Sequence, residues 1–450
     1  MRLGLVAIVV VYLVLGATYA LKVPKWNAPD EPAHYNYVRH LAEGRGLPVL
    51  RPEDWNLEYQ NRLISAQFPD GLPVDTIRYE NWQPPLYYVV SAPVYLATAG
   101  LGLAGQVLAM RFVSVGLGAL LLLVTFLCVR EIFPGDRWLP LLATSFVALV
   151  PMYGATNASI TNDSLANLLT STIILVLVII ANPARRARCE AERGLGEWLM
   201  SVWWHPPVVL GVLLGLGFLT KTTVYLAVVL VAWGALWVAP RPWRENWGSI
   251  VMWLAMIYGI AMAIAGWWFV RNAMTYGNLD IIGKQWHDAV VVGQPTTGVF
   301  DWAAASHLAR TTFNSFWAQF GWMAVPADQR TFRIIGILCA VVAMGLVILC
   351  LQLIRRKVVL TDFQRGALGL LLMTLALVVA MLVWYNLTFI QAQGRYLFPA
   401  MVTFGTLYGL GLRQIPIGRL SPALYGAVTF GLVGLNVHCL FRVIGPAFGT

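Results

Sequence analysis

Charge is the scarcest property of this chain. Asp, Glu, Lys and Arg together make up only 12% of its 450 residues, while 58% are hydrophobic. A soluble domain carries roughly a quarter charged residues. With a mean hydropathy of +0.67, this scarcity excludes a water-soluble globular protein. Cysteine is also rare. The five, Cys128, Cys189, Cys339, Cys350 and Cys439, form no CxxC pair, which argues against a disulfide framework or a zinc finger. The histidines show no metal-ligand spacing. No internal repeat, low-complexity tract or separate soluble domain interrupts the chain.

What the chain does have is apolar runs long enough to cross a bilayer, about 20 residues each. The fold class expected is an all-α polytopic membrane protein, a single transmembrane domain over 1–450. Spans fall near 4–21, 108–129, 138–155, 164–181, 204–220, 222–239, 248–270, 331–353, 366–385, 396–412 and 421–440. That makes about eleven transmembrane helices. The first run, "MRLGLVAIVVVYLVLGATYA", has the build of a signal peptide; an acidic cluster follows at once, so it reads as a retained helix. The net charge of +10 reports topology and contact with membrane lipids, not nucleic acid.

Basic loops at 182–194, 240–246, 354–365 and 413–419 belong in the cytoplasm by the positive-inside rule. The segment 84–105 looks long enough to span, but crossing would turn those loops outward. Its three prolines also favour an interfacial helix. The opposite face then holds a first extracytoplasmic loop, 22–105, and a second long one, 272–330.

Ionisable residues gather at that outer boundary: Asp30, Glu31 and His34 in "WNAPDEPAHYNYVRH", Asp163 in "TNDSLANLL", Lys221 in "GFLTKTTVY", Arg271 in "WWFVRNAM" and Arg395 in "QGRYLFPA". Charge at a membrane boundary is costly and points to function. Plainer readings exist for each. Asp30 and Asp163 sit where a helix N-cap would, with Asp30 ahead of a helix over 31–43. Lys221 and Arg271 could snorkel. Arg395 is the best phosphate ligand, because a guanidinium forks onto phosphate oxygens. In "QPPLYYVV", a Pro-Pro corner can aim Gln83 and Tyr87 into a cavity that His34 and Tyr396 also line. "SFWAQFGWM" (315–323) could dip into lipid or wall a sugar site.

Four of these stretches, in order, resemble motifs of the GT-C glycosyltransferases: "APDEPAHYNYVRHLAEG", "ENWQPPLYYVV", "TNDSLANLL" and "GRYLFPA". "SFWAQFGWM" with "QGRYLFPA" is most similar, within that clan, to a family of predicted integral membrane proteins of unknown function. The resemblance covers residues 1 to about 412. It implies two juxtamembrane helices in the first outer loop and a sugar donor linked to polyprenyl phosphate. The acceptor would be a glycan, lipid or protein hydroxyl, and transfer would invert the anomeric centre. By the same resemblance Asp30 is the general base, with Glu31 beside it, and Asp163 orients the acceptor or a metal. Arg395, Lys221 and Arg271 hold the donor phosphate. The setting implied is a bacterial plasma (inner) membrane with an extracytoplasmic site. The only cofactor to weigh is a divalent cation, Mg or Mn. The second acidic motif has one Asp where the family has Asp-x-Asp, so the metal requirement stays open. Two rival readings are a lipid-linked sugar flippase or transporter and an inactive GT-C-like scaffold.

Overall fold

A computed structural model describes residues 1–185, 206–239, 242–277, 279–415 and 418–450. The basic stretches 182–194, 240–246 and 413–419, and the start of the expected span 204–220, lie partly outside these residues, and Cys189 lies wholly outside. Regular structure in the described part is helical, save one two-stranded turn pairing Gln319–Phe320 with Val325–Pro326 and an isolated bridge between Thr296 and Phe389.

Among the described residues, seven helices are long and apolar enough to cross a membrane, and eight if a bent pair counts as one span. The seven run over Arg2–Lys22, Ala99–Ile132, Asp163–Ala181, Trp243–Tyr276, Gln329–Ile354, Asp362–Asn386 and Ser421–Phe448. The bent pair, Leu139–Leu149 and Pro151–Asn157, turns by 63°. Pro151 lacks the N–H that would continue the first helix, and Val150 before it is extended. Other expected spans are shorter: Pro206–Phe218, Thr222–Val238 and Met401–Arg413. Among the described residues, then, eleven is the number of apolar runs and not of full-length helices. The molecule is an integral membrane protein.

Asp163–Ala181 is the central helix, with 72% of its apolar window buried, whereas Gln329–Ile354 is peripheral at 17%. Small residues let backbones approach where two helices cross. A methyl group on Gly345 would strike the carbonyl of Gly411, and one on Gly411 would strike the carbonyl of Val342, so both glycines are needed at that crossing.

One end of the bundle carries a layer of shorter helices: Glu31–Ala42, Leu57–Ser65, Leu86–Ala97, Lys284–Val290 and Trp302–Trp317. Leu86–Ala97 has 12 residues. At 1.5 Å per residue it reaches about 18 Å, short of the ~30 Å hydrocarbon core. Aromatic packing ties this layer to the bundle. Tyr37 stacks on Tyr88 with centroids 3.7 Å apart. The "SFWAQFGWM" segment packs into the bundle. Phe316, Trp317 and Phe320 are core residues, packed with Phe146 and Phe398. Trp322 stacks on Phe68 and donates from its indole to the carbonyl of Trp26.

Candidate active site

The site forms where three chain segments meet at the loop end of the central helix. The first is the turn between Arg2–Lys22 and Glu31–Ala42. Asp30 sits there with φ +65°, in the left-handed region. Its side chain makes no capping bond to the helix that follows. The expected N-cap role is thus replaced: the left-handed backbone swings the carboxylate off the helix N–H groups and into the interior. Oδ1 accepts from Tyr79 Oη at 2.6 Å and Oδ2 from the Arg395 guanidinium. Asp30 and Arg395 are 365 residues apart in sequence.

The second segment is the start of the central helix. Asp163 does not cap it with its side chain either. Oδ1 accepts from Lys221 Nζ at 2.7 Å, and Oδ2 lies 3.9 Å from Arg395 Nη1. Arg395 thus stands between two carboxylates, with Lys221 on the far side of Asp163. The third segment, Gly394–Ala400, is a short tight helix that delivers Arg395. Gly394 is required there: a side chain would collide with the backbone of Phe316, and the Gly394 N–H donates to Ser315 Oγ at 2.8 Å.

Burial alone would raise the Asp30 carboxyl, but Arg395, His34 and the Tyr79 hydroxyl hold it well below the usual carboxylate range. Burial pushes the His34 imidazole down to about 3, so it is neutral, with Nδ1 on Tyr88 Oη at 2.9 Å. Glu80, beside Tyr79, is pushed up to about 7 by burial and by the charge of Asp30. Asp30, His34 and Glu80 each offer one ligand atom, all within 4.8 Å of one another. Glu80 Oε2 is buried without a hydrogen-bond partner.

Most of the other candidates have partners of their own. Glu31 is fully buried and committed to Arg111, accepting from Nε at 2.7 Å and Nη2 at 2.6 Å. It also accepts from the backbone N–H groups of Trp26 and Ile160. Arg111 in turn donates to the carbonyls of Ala20, Val23 and Pro24. This hub ties the turn bearing Asp30 to the turn before Asp163. Arg271 donates to the Pro48 carbonyl and lies over Trp268 and Tyr276, so these contacts place it beside the 48–50 loop. Gln83 is buried with Oε1 unpartnered. Tyr87 pins the 161–163 turn, accepting from the Thr161 N–H at 3.0 Å and sharing a bond with Ser114. Tyr396 stands at the site, its ring 5.5 Å from the Arg395 guanidinium. Sequence reading passed over Arg111, Tyr79 and Glu80. Arg111 carried a signal, a cation deep in an apolar run.

No family model matches the sequence, and no curated protein matches it. Solved structures do. ArnT from Cupriavidus metallidurans, bound to undecaprenyl phosphate, aligns at a TM-score of 0.52 and 16% identity, over 96% of this chain and 62% of its own. The oligosaccharyltransferase AglB from Archaeoglobus fulgidus, in complex with an inhibitory peptide and a dolichol-phosphate, aligns at 0.51 and 11%, over 97% of this chain and 55% of its own. The chain has the GT-C fold. It spans under two thirds of the length of either of these structures. At these identities the likeness extends to architecture, and the chemistry rests on the residues themselves.

Proposed function

We propose that the protein is an inverting glycosyltransferase that moves a sugar from a polyprenyl-phosphate donor to an acceptor hydroxyl at the extracytoplasmic membrane face. The observation that carries this reading is the Asp30–Arg395–Asp163–Lys221 chain of alternating charges. Two cations beside a buried carboxylate are what phosphate-leaving-group chemistry needs. Structural neighbours that hold undecaprenyl phosphate and dolichol-phosphate support the donor class.

In the resting protein the cations are paired with the two aspartates. A donor phosphate competes for Arg395 and Lys221, which then stabilise the charge growing on the leaving phosphate. Once Arg395 turns to phosphate, Asp30 loses the partner that lowers its proton affinity. It then accepts the proton of the acceptor hydroxyl as that oxygen attacks the anomeric carbon. Base strength is thereby tied to donor binding, which limits proton chemistry in an empty site. Asp163 keeps Lys221 in place and orients the acceptor.

The orphaned oxygen of Glu80, the neutral imidazole of His34 and Asp30 fit a divalent cation. One nitrogen with two carboxylate oxygens suits manganese better than magnesium. Bound there, such an ion would supply positive charge beside the acceptor hydroxyl.

Purified protein with undecaprenyl-phosphate sugars provides the test. Asp30→Asn should lower turnover by at least about 1,000-fold, a loss of ~4 kcal/mol of transition-state stabilisation, while the melting temperature holds. Wild-type turnover in that variant would remove Asp30 from the chemistry. A transporter would gather its charges nearer the midplane, whereas these sit at helix ends.

A further inference from the structure

Beside Arg395, the site has a rim that the phosphate chemistry does not use. The turn 388–390 pairs with the loop 295–297: the Thr297 N–H donates to the Thr388 carbonyl at 3.0 Å, and the Ile390 N–H to the Pro295 carbonyl at 2.9 Å. This brings Gln294 to Gln391, whose Nε2 donates to Gln294 Oε1 at 3.0 Å. Gln393 Nε2 donates to Gln391 Oε1 at 2.9 Å, and Gln393 is two residues from Arg395. Each carboxamide has two N–H donors and an oxygen with two lone pairs. The relay uses few of them, and all three side chains are half-buried.

Aromatic faces flank the relay. Tyr385 and Tyr396 meet edge to face, centroids 6.4 Å apart. Lys284 Nζ lies 5.3 Å from the centroid of the Tyr385 ring. It is also bonded to Asp288 Oδ2 at 2.6 Å, while His287 Nδ1 takes Oδ1 at 3.0 Å. The charged groups of this rim therefore satisfy one another.

Carboxamide chains and aromatic faces are the chemistry that binds hydroxyls and C–H faces of a sugar ring. A glycosyl phosphate places its ring directly next to its phosphate. We infer that the rim of Tyr385, Tyr396, Lys284, Asp288, Gln391 and Gln393 is the sugar subsite of the donor, and that it takes a neutral sugar. An ammonium or carboxylate on the ring would need a counter-charge. The rim's own ions are already paired, and breaking such a pair leaves an unmatched charge in a half-buried place.

This inference rests on the donor class proposed above, and one experiment separates the two. Affinity is measured in detergent for bare undecaprenyl phosphate, for its neutral glucosyl, galactosyl, mannosyl and arabinosyl forms, and for its glucosaminyl and glucuronyl forms. At least one neutral form should bind about ten-fold more tightly than the bare lipid, and the charged forms should gain nothing. Gln393→Ala and Tyr385→Ala should erase the gain and leave the affinity for bare lipid phosphate unchanged, while Tyr385→Phe should keep it. Bare and all neutral glycosyl lipids binding equally would overturn the subsite and leave the phosphate reading intact. A gain confined to a charged sugar would overturn the claim of neutrality. No binding of bare lipid would overturn the donor class, and the subsite with it.

Discussion

Asp30 and Trp26 are both non-glycine residues with positive φ, at +65° and +68°. Each such residue costs about 1–3 kcal/mol and persists only where its surroundings over-determine it. The Glu31–Arg111 pair does so here, by accepting from Trp26 and holding the carbonyls just upstream. Under the proposed function Glu31 would act through Asp30, as a positioning residue. Arg111→Met alone should destabilise the protein by about 3–5 kcal/mol, because it strands a buried carboxylate. Adding Glu31→Leu should restore most of the thermal stability but not the turnover, since nothing then fixes the Asp30 turn. Full activity in the double variant would reduce the pair to a packing element. Asp30, Asp163, Lys221 and Arg395 were legible in the sequence as charges in an apolar chain, whereas Tyr79 and Glu80, which meet them in the site, were not singled out. Glu31 was placed with them, but neighbours in a first helical turn point about 100° apart. Arg111 stood out as a cation in an apolar run, but its pairing with Glu31 did not, because the two lie 80 residues apart.

Helices longer than a bilayer announce themselves through hydropathy alone. The shorter elements do not, because a window average cannot see the break at Pro151 or the tight turns over Gly394–Ala400. That last element does the placing. Gly394→Ala would push the segment off the Phe316 backbone and displace Arg395 with it. Overpacking of this kind costs about 1–3 kcal/mol. The expected result is a lowered melting temperature and weakened affinity for undecaprenyl phosphate. A variant with native affinity would show that the close approach is incidental to the guanidinium's position.

On the scale of the whole molecule, the donor should hold the structure together as well as enter it. A ligand present at 100 times its Kd stabilises the state that binds it by about 2.7 kcal/mol. Undecaprenyl phosphate should therefore raise the melting temperature of the protein, and Arg395→Ala should abolish the rise. An equal rise in the variant would place the lipid elsewhere. The order of motif and span was readable along the chain, and so was the gathering of Asp30, Asp163, Lys221 and Arg395 at one boundary; which atoms pair was not, since that depends on packing among helices far apart in sequence.

That separation has a consequence for biogenesis. The acid arrives with the first loop and its guanidinium partner 365 residues later. Throughout synthesis the membrane therefore holds a nascent chain whose Asp30 has no counter-ion from Arg395. A chain that stops before residue 395 cannot close this pocket and leaves the Asp30 carboxylate without its guanidinium partner.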